Sequence, residues 1–197
     1  MRKLIVSTFL TLDGVMQAPG GTEEDTEGGF NHGGWQMSYI DEAFGQAMDE
    51  AFRNTGGMLL GRKTYDIFAG YWPTTGKKEA AEIAGLMNSL PKYVASRTLE
   101  KAEWQNTTLL KGDLAEAVTK LKAEDGKDIY VIGSGDLTQT LMKHGLIDEY
   151  ALMIHPLVLG NGKKLFRDGG PKQELELLSS KPTTTGVMIL RYKTKGK

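Results

Sequence analysis

Short apolar runs alternate with helically spaced apolar residues along most of this 197-residue chain. The strand-like runs are residues 4–10, 58–60, 93–95, 129–132 and 150–154. The helical patterns are residues 41–54, 64–68, 78–89, 113–123 and 136–143, and Gly56-Gly57 is expected to stop the first helix. Residues 174–178 and 187–192 then have strand composition with no helix between them. This order predicts an α/β fold, with a mostly parallel sheet covered by helices on both faces and an antiparallel pair at its C-terminal edge.

Length and composition fit one domain over residues 1–197, because this chain is long enough to bury one sizeable core. The formal net charge is −1, so no overall positive field favours nucleic acid or an anionic membrane. The chain has no cysteine, which excludes disulfides, thiolate metal sites and cysteine nucleophiles.

No apolar run approaches the roughly 18–20 residues of a membrane span. The apolar run at residues 4–6 is soon interrupted by Ser7 and Thr8, so it resembles a first strand more than the core of a signal peptide. We therefore expect a cytoplasmic protein without a membrane partner.

The one long glycine-rich stretch is residues 19–34, which surrounds the acidic residues 23–27. Such a stretch buries little and predicts a loop. Long loops in compact domains are often lids over a functional site, and a mobile surface connection is an equally good interpretation.

Three predicted strands are followed by groups suited to phosphate: glycine turns, hydroxyls or cations. They are Gly61, Arg62, Lys63 and Thr64 after the second strand, Ser96 and Arg97 after the third, and Gly133, Ser134, Gly135, Asp136 and Leu137 after the fourth. In parallel sheets, ligands bind outside the carboxyl ends of the strands, where helix N-termini offer free N–H groups. Each segment alone is more often an ordinary turn or a solvated surface charge than a phosphate site. Together they predict a dinucleotide site, and the cations favour NADP over NAD.

The familiar dinucleotide fingerprint is absent, because Gly133-x-Gly135 is not followed by a third glycine at Thr138. The P-loop pattern is absent as well. The sequence therefore does not predict an ordinary Rossmann domain.

Taken in order, a set of short segments resembles the dihydrofolate reductase-like superfamily, and its nearest branch is the reductase domain of the bifunctional riboflavin-biosynthesis deaminase-reductase. The segments are TLDG (11–14), GW (34–35), LGRKTY (60–65), YWP (71–73), SR (96–97), IGSG (132–135), GLIDE (145–149) and HPLVLGNG (155–162). The resemblance covers nearly the whole chain.

The resemblance implies an eight-stranded, three-layer fold, NADPH as hydride donor and a homodimer. It places residues 61–64 beside the adenosine and its phosphates, Ser96 and Arg97 at the 2′-phosphate, and residues 133–137 at the pyrophosphate. It places Thr11, Asp13 and Gly14 near the nicotinamide and the substrate.

The chain also departs from this family. The zinc-dependent deaminase half is missing, and IGSG stands where the family usually has glutamate-glycine-glycine. Folate reductases carry a proton-donating carboxylate on the first helix. That helix offers Asp41, Glu42, Asp49 and Glu50 here, and the spacing selects none of them.

Asp13 is the best catalytic candidate, because it follows the first strand at the same sheet edge, and Trp35 is a further candidate for substrate contact. Leu-Asp-Gly is also a common turn, so Asp13 has a structural interpretation too. The aromatic residues Trp35, Tyr39, Phe68, Tyr71 and Trp72 form either a pocket wall or core and interface.

His32 is interpreted as a loop residue, His144 as a complement to a helix end and His155 as the end of a strand. Their spacing gives no metal-site pattern.

We predict an NADPH-dependent reductase of a small heterocycle, resembling 5-amino-6-(5-phosphoribosylamino)uracil reductase. A pterin reductase, a non-catalytic NADPH or small-molecule binding protein and a structural dimer module are the alternatives.

Overall fold

The computed structural model describes residues 1–75 and 81–196. The strands are β1 (Leu4–Thr11), β2 (Thr55–Gly61), β3 (Lys92–Ala95), β4 (Thr107–Leu110), β5 (Asp128–Ile132), β6 (Glu149–His155), β7 (Leu175–Pro182) and β8 (Met188–Thr194). The helices are α1 (Glu42–Asn54), α2 (Arg62–Tyr71), α3 (Ala81–Ser89), α4 (Leu114–Ala123) and α5 (Gly135–Lys143). Two short 3-10 helices, Glu27–Gly29 and Met37–Tyr39, lie in the long connection between β1 and α1.

All eight strands form one sheet in the order β4-β3-β2-β5-β1-β6-β8-β7. The first six strands of that order run parallel, whereas β8 is antiparallel to both β6 and β7. The predicted parallel sheet with an antiparallel C-terminal edge is therefore confirmed.

Alternate residues of the central strands belong to two different cores. On one face, Leu4 and Val6 of β1 pack in a fully buried cluster with Val118 of α4 and Leu141 of α5. On the other face, Phe9 of β1 packs with Phe44 of α1. Full burial of one such side chain contributes ~1.5–3 kcal/mol relative to an exposed one. Because successive side chains of β1 point to opposite faces, the strand packs against helices on both sides. This agrees with the predicted sheet covered by helices on both faces.

Two helices begin at aspartates that cap them. The Asp41 carboxylate accepts a hydrogen bond from the backbone N–H of Phe44 at 2.8 Å, and Asp113 accepts one from that of Glu116 at 2.9 Å. Each carboxylate satisfies a backbone donor that the helix itself leaves free. The predicted role of Asp113 is confirmed.

Two details differ from the sequence-based expectation. Gly56 and Gly57 do not lie beyond a helix stop but within β2, because α1 ends at Asn54 and the strand begins at Thr55. A Cβ on Gly56 would lie 2.4 Å from the Lys127 carbonyl oxygen, so this close approach requires glycine. The second detail is β4 (Thr107–Leu110), a strand that the sequence pattern did not indicate.

The first three residues of the helix expected over 78–89 lie outside the described residues. The remainder forms α3 (Ala81–Ser89). Within residues 1–75 and 81–196, no helix is long and apolar enough to cross a membrane.

Because β1 to β6 are parallel, their carboxyl ends meet at one edge of the sheet, where a site can be assembled from several connections.

Candidate functional site

A cleft of about 1350 Å³ opens at the carboxyl ends of the parallel strands. Its walls include the segments that follow β2, β3, β4 and β5, the inner half of α1, and the long connection after β1. All eleven residues predicted to bind the dinucleotide line this cleft: Gly61, Arg62, Lys63, Thr64, Ser96, Arg97, Gly133, Ser134, Gly135, Asp136 and Leu137. The structure therefore brings the three predicted phosphate segments to one site.

The turn between β5 and α5 is held in an unusual conformation. Gly133 and Ser134 both have φ of 56°, a left-handed value that favours glycine and strains serine. Ser134 is held there by three hydrogen bonds. Its N–H donates to the Thr64 hydroxyl oxygen at 3.2 Å, and its own hydroxyl donates to the Ile132 carbonyl at 2.8 Å and accepts from the Gly61 N–H at 2.9 Å. Ser134 thus joins the ends of β2 and β5.

The N-terminus of α5 offers backbone donors to the cleft. Among the described residues no side chain caps this helix, and Gly135, Asp136 and Leu137 of its first turn line the cleft. A Cβ on Gly135 would lie 3.2 Å from both Met16 and Arg167, so glycine lets these side chains approach the turn. Free N–H groups at a helix N-terminus, together with the helix dipole, form an anion site suited to a pyrophosphate.

At the end of β2, the predicted cations are already paired with carboxylates. Arg62 forms an ion pair with Asp66, one turn later, at 2.7 Å. Lys63 lies 2.7 Å from an Asp25 oxygen and also contacts Glu27. These pairs raise the pKa of Lys63 despite partial burial. Among the residues that the structure describes, neither cation is free to meet a phosphate without giving up a partner.

Lys163 completes a cluster of two lysines and two carboxylates. It lies 2.8 Å from Asp25 and 2.5 Å from Glu27, the same carboxylates that bind Lys63. Burial opposes the change, but hydrogen bonds from the two lysines hold the pKa of Asp25 below its ordinary value. Hydrogen bonds from the same lysines to Glu27 lower the pKa of that carboxyl as well. The glycine-rich loop is thereby fastened over the cleft.

Gln17 fixes the backbone of this loop. Its side-chain amide donates to the carbonyls of Asp25 and Glu27 at 3.1 and 3.0 Å, and its oxygen accepts from the Lys163 N–H at 3.0 Å. Pro19, Gly20, Glu24 and Asp25 line the cleft. Of the two interpretations of residues 19–34, the contacts favour a lid.

The basic side chains that line the cleft just after β3 and β4, unlike those just after β2, have no ion-pair partner among the described residues. Ala95 of β3 pairs with Leu110 of β4, so the residues that follow both strands lie at one place on the sheet edge. Arg97 and Lys111 are exposed there and line the cleft. Within the described ranges neither has an ion-pair partner, whereas Arg62, Lys63, Lys163 and Arg167, the other cations of the lining, all have one.

Ser96 closes its own turn. Its hydroxyl oxygen accepts hydrogen bonds from the N–H groups of Leu99 and Thr98 at 3.0 and 3.3 Å. The turn that carries Arg97 is therefore fixed by a local side-chain contact.

Thr11, Asp13, Gly14 and Trp35, the predicted substrate residues, do not line the cleft. The Asp13 carboxylate accepts hydrogen bonds from the Thr11 hydroxyl at 2.5 Å and from the Gly160 N–H at 2.9 Å. These bonds, that of Thr11 first, hold the pKa of Asp13 below its ordinary value, which disfavours proton donation. Trp35 is buried and donates to the Gln17 carbonyl at 2.7 Å. The geometry gives Asp13 the structural role of a turn-fixing residue.

The inner part of the cleft lies beneath α1 and is mostly apolar. Its α1 wall is formed by Met48, Ala51 and Phe52, and its sheet wall includes Ser7 of β1 and Tyr130 of β5. None of Asp41, Glu42, Asp49 and Glu50 lines it, so the structure supplies no folate-reductase carboxylate from this helix. Of the aromatic residues proposed as a pocket wall, Phe68 and Trp72 line the cleft, whereas Trp35, Tyr39 and Tyr71 do not.

Within the described part of the chain, no group of three or more histidine and acidic residues is arranged to hold a metal ion. His155 ends β6 as predicted, and its buried ring lies among Phe9, Trp35, Tyr39 and Phe44.

The sequence patterns did not identify Gln17, Lys111, Tyr130 and Lys163. Lys111 follows the strand that was not predicted, and Lys163 lies in an irregular connection after β6. Tyr130 is one residue of a buried strand, and alternation along β5 is the signal that separates it from the core residues Ile129 and Val131.

The model of the RibD C-terminal domain family matches residues 2–189. Two proteins of Bacillus subtilis (strain 168) are similar over almost their whole lengths. The uncharacterized protein YyaP is 31% identical over 196 residues, covering 99% of this chain and 96% of that protein. The uncharacterized protein YwjB is 22% identical over 191 residues, covering 95% and 96%.

Two solved structures share the fold. A putative riboflavin biosynthesis protein from Shewanella sp. PV-4 has a TM-score of 0.71 and 23% identity, covering 98% of this chain and 99% of that chain. A pyrimidine reductase-like protein from Corynebacterium diphtheriae has a TM-score of 0.64 and 13% identity, covering 100% and 93%. At these identities the likeness shows the fold.

Proposed function

Because the chain belongs to the RibD C-terminal domain family, we propose that it is an NADPH-dependent reductase of a small heterocyclic substrate. The family match over residues 2–189 supports an oxidoreductase with a nicotinamide cofactor. The choice of NADPH, the substrate and the roles of individual residues are our proposal.

One observation carries the choice of cofactor: Arg97 and Lys111 lie together at neighbouring strand ends without an ion-pair partner among the described residues. A phosphate monoester is the anion that an arginine fork and a nearby lysine bind well. In our proposal these residues, with Ser96 on the same turn, hold the 2′-phosphate that distinguishes NADPH from NADH.

The remaining residues fit the other parts of a dinucleotide. The first-turn amides of α5, at Gly135, Asp136 and Leu137, would hold the pyrophosphate, and the segment 61–64 would line the adenosine side. When bound, the cofactor supplies the hydride, whereas the chain binds, orients and excludes water. The cleft volume of about 1350 Å³ leaves room for a second small molecule beneath α1.

The substrate that we test first is 5-amino-6-(5-phosphoribosylamino)uracil, the aminopyrimidine that the resemblance implies. Absorbance of NADPH is followed with this compound and, in parallel, with a dihydropterin. Oxidation with the aminopyrimidine is expected. Oxidation with neither compound would remove both substrates. Binding of NADPH without turnover of any reducible heterocycle would instead identify a non-catalytic binding protein.

A homodimer and a cytoplasmic location complete the proposal. The edge strand β7 exposes Leu177 by 52% and Leu178 by 45%, an apolar surface that a second copy would cover. Light scattering after size-exclusion chromatography tests this assembly. We expect a dimer whose dissociation constant rises in Leu177→Lys, and a monomeric parent protein would contradict the dimer.

A further inference from the structure

We propose that Tyr130 donates the proton that accompanies hydride transfer and that Arg191 stabilises the phenolate left behind. This inference rests on the proposed reductase function and assigns a role that Asp13 does not fill.

Tyr130 lies at the right place in the fold. Its neighbours in β5, Ile129 and Val131, point into the core beneath α4 and α5, so Tyr130 points to the opposite face, beneath α1. Ser7 lies one step farther toward the carboxyl end on that face, because Ile5 pairs with Tyr130 and Ser7 with Ile132. The ring is 5% exposed and lines the inner cleft.

The hydroxyl of Tyr130 is uncommitted. Among the described residues it has no hydrogen-bond partner, whereas Tyr150 donates to Gln173 and the Tyr65 hydroxyl accepts from the Trp104 N–H. The Tyr130 oxygen is not one of the fully buried polar atoms that lack a partner, so it is accessible from the cleft that the residue lines. A heterocyclic nitrogen or oxygen in the inner cleft would supply the acceptor.

The other titratable groups of the lining are already bound or lie outside this inner part. Asp25, Asp66 and Asp136 are ion-paired, and Glu100 is exposed on the connection that follows β3. Glu24 belongs to the lid, where one of its oxygens accepts from the N–H groups of Gly20 and Gly21 at 2.7 and 3.0 Å. Because burial raises the pKa of Glu24, this carboxyl is the strongest competitor for the role.

Charged groups from four elements act on the Tyr130 hydroxyl. Burial is the main cause that raises its pKa, so the phenol stays protonated at neutral pH. Arg191 of β8 opposes that rise, whereas Asp128 of β5, Glu149 of β6 and Glu50 of α1 add to it. Ile5 of β1 pairs with both Tyr130 of β5 and Glu149 of β6, so these two side chains lie on the same face of the sheet with only β1 between their strands. Arg191 forms an ion pair with the buried Glu149 at 2.5 Å, which holds its guanidinium on that face, and Lys3 also binds Glu149. A nearby guanidinium lowers the free energy of a phenolate.

The reaction balances as follows. In the C=N or C=O group of the substrate the π bond breaks, and carbon forms a C–H bond with the hydride from the reduced nicotinamide dinucleotide, which is oxidised. The nitrogen or oxygen takes the proton of the Tyr130 hydroxyl. Water then returns a proton to the phenolate.

The test compares Tyr130→Phe with Tyr93→Phe and Glu24→Gln. Tyr93 is a half-buried tyrosine of β3 outside the cleft lining, so it is the matched control. Single-turnover oxidation of NADPH with 5-amino-6-(5-phosphoribosylamino)uracil is measured as a function of pH. Tyr130→Phe is expected to lower the rate ~100-fold or more and to abolish its decline at alkaline pH. NADPH affinity and the rate of Tyr93→Phe should remain near the parent values, and Glu24→Gln should keep the decline at alkaline pH.

Two measurements without cofactor accompany the kinetics. Tyrosinate absorbance is titrated in the parent protein, Tyr130→Phe, Arg191→Lys and Arg191→Met. The titration step that is absent in Tyr130→Phe belongs to Tyr130. Its pKa should be higher in Arg191→Met than in the parent protein, and in Arg191→Lys it should return close to the parent value. Calorimetry with 5,6-diaminouracil should show weaker binding to Tyr130→Phe than to Tyr93→Phe.

The outcomes separate the two proposals. A parent protein that oxidises NADPH, together with an unchanged rate and pH profile in Tyr130→Phe, would overturn the role of Tyr130 and leave the reductase standing. Loss of the rate in Glu24→Gln alone would assign the proton to the lid. A parent protein that turns over neither compound would overturn the proposed function, and the role of Tyr130 would fall with it.

Discussion

Two ends of the same cleft both carry basic side chains and offer very different chemistry. At the ends of β2 and β5, Arg62, Lys63 and Arg167 are each neutralised by a carboxylate of the chain itself. At the ends of β3 and β4, Arg97 and Lys111 have no such partner among the described residues. A cation that the fold has already paired binds a phosphate only by losing that partner, so net attraction is concentrated at the second end.

The difference shows that position at a strand end is not sufficient to make a cation a phosphate ligand. Lys63 directly follows Arg62 at the entrance of α2, where phosphate binding is expected. Its partners Asp25 and Glu27 lie far away in sequence and reach it only because Gln17 holds the lid. In the proposed function, the β3/β4 end would therefore select the 2′-phosphate and the β2/β5 end would hold the lid closed.

Arg97→Ala should have the largest effect. Loss of a charge-assisted hydrogen bond to phosphate costs ~1.5–3 kcal/mol, so the NADPH dissociation constant should rise roughly 10- to 100-fold. The dissociation constant for NADH should change little, because NADH lacks the 2′-phosphate. Arg62→Ala is the matched control, since Arg62 lines the same cleft but is paired with Asp66. Equal effects of the two substitutions on NADPH would remove the distinction between the ends.

Ser134→Ala probes the other end through stability. It removes the hydroxyl that accepts from the Gly61 N–H and donates to the Ile132 carbonyl. We expect the free energy of unfolding to fall by about 1 kcal/mol in urea denaturation. Ser89→Ala, which removes one exposed hydroxyl contact to the Leu86 carbonyl, should cost less. The same loss in both variants would mean that Ser134 does not tie the strand ends together.

Lys111→Ala should weaken NADPH binding less than Arg97→Ala does. An exposed lysine acts as a point charge, worth up to about 1 kcal/mol, so a roughly five-fold rise in the dissociation constant is expected. The rise should shrink at high salt and be absent for NADH. A loss of affinity shared equally by both dinucleotides would place Lys111 away from the 2′-phosphate.

Asp25→Asn should have the smallest effect, and that effect depends on pH. The pKa of Asp25 is lowered in the folded protein, so its carboxylate contributes stability at neutral pH that is lost as the pH falls through the lowered pKa. Partly exposed ion pairs contribute at most about 1 kcal/mol. Thermal unfolding should show a deficit in Asp25→Asn at pH 7 that disappears in acid. A deficit that persists there would point to packing instead of charge.

Much of the fold follows from local patterns. The apolar runs of β1 and β5 locate central strands, and the missing helix between β7 and β8 indicates the antiparallel edge. β4 was missed because Thr107–Leu110 is a short edge strand, only partly buried and without clear alternation. Gly56 was misplaced because its role depends on the Lys127 carbonyl, a contact that no local pattern reveals.

For the candidate site, the sequence predicted the segments that line the cleft but not which of their side chains are already paired. Its glycine turns and strand-end cations could be read from local sequence, and Gly61 and Gly133 do line the cleft. Whether a cation is available depends on long-range partners, as Lys63 shows. Asp13 shows the same dependence: its place after β1 suggested chemistry, and backbone donors from residues 159 and 160, which no local pattern reveals, occupy its oxygens.

The central claim is that Arg97 and Lys111, which have no ion-pair partner within residues 1–75 and 81–196, select a dinucleotide with a 2′-phosphate. Isothermal titration of the parent protein with NADPH and with NADH, at one salt concentration, tests it most directly. NADPH should bind roughly 10-fold or more tightly than NADH, the difference that one charge-assisted phosphate contact provides. Equal dissociation constants for the two dinucleotides would contradict the claim.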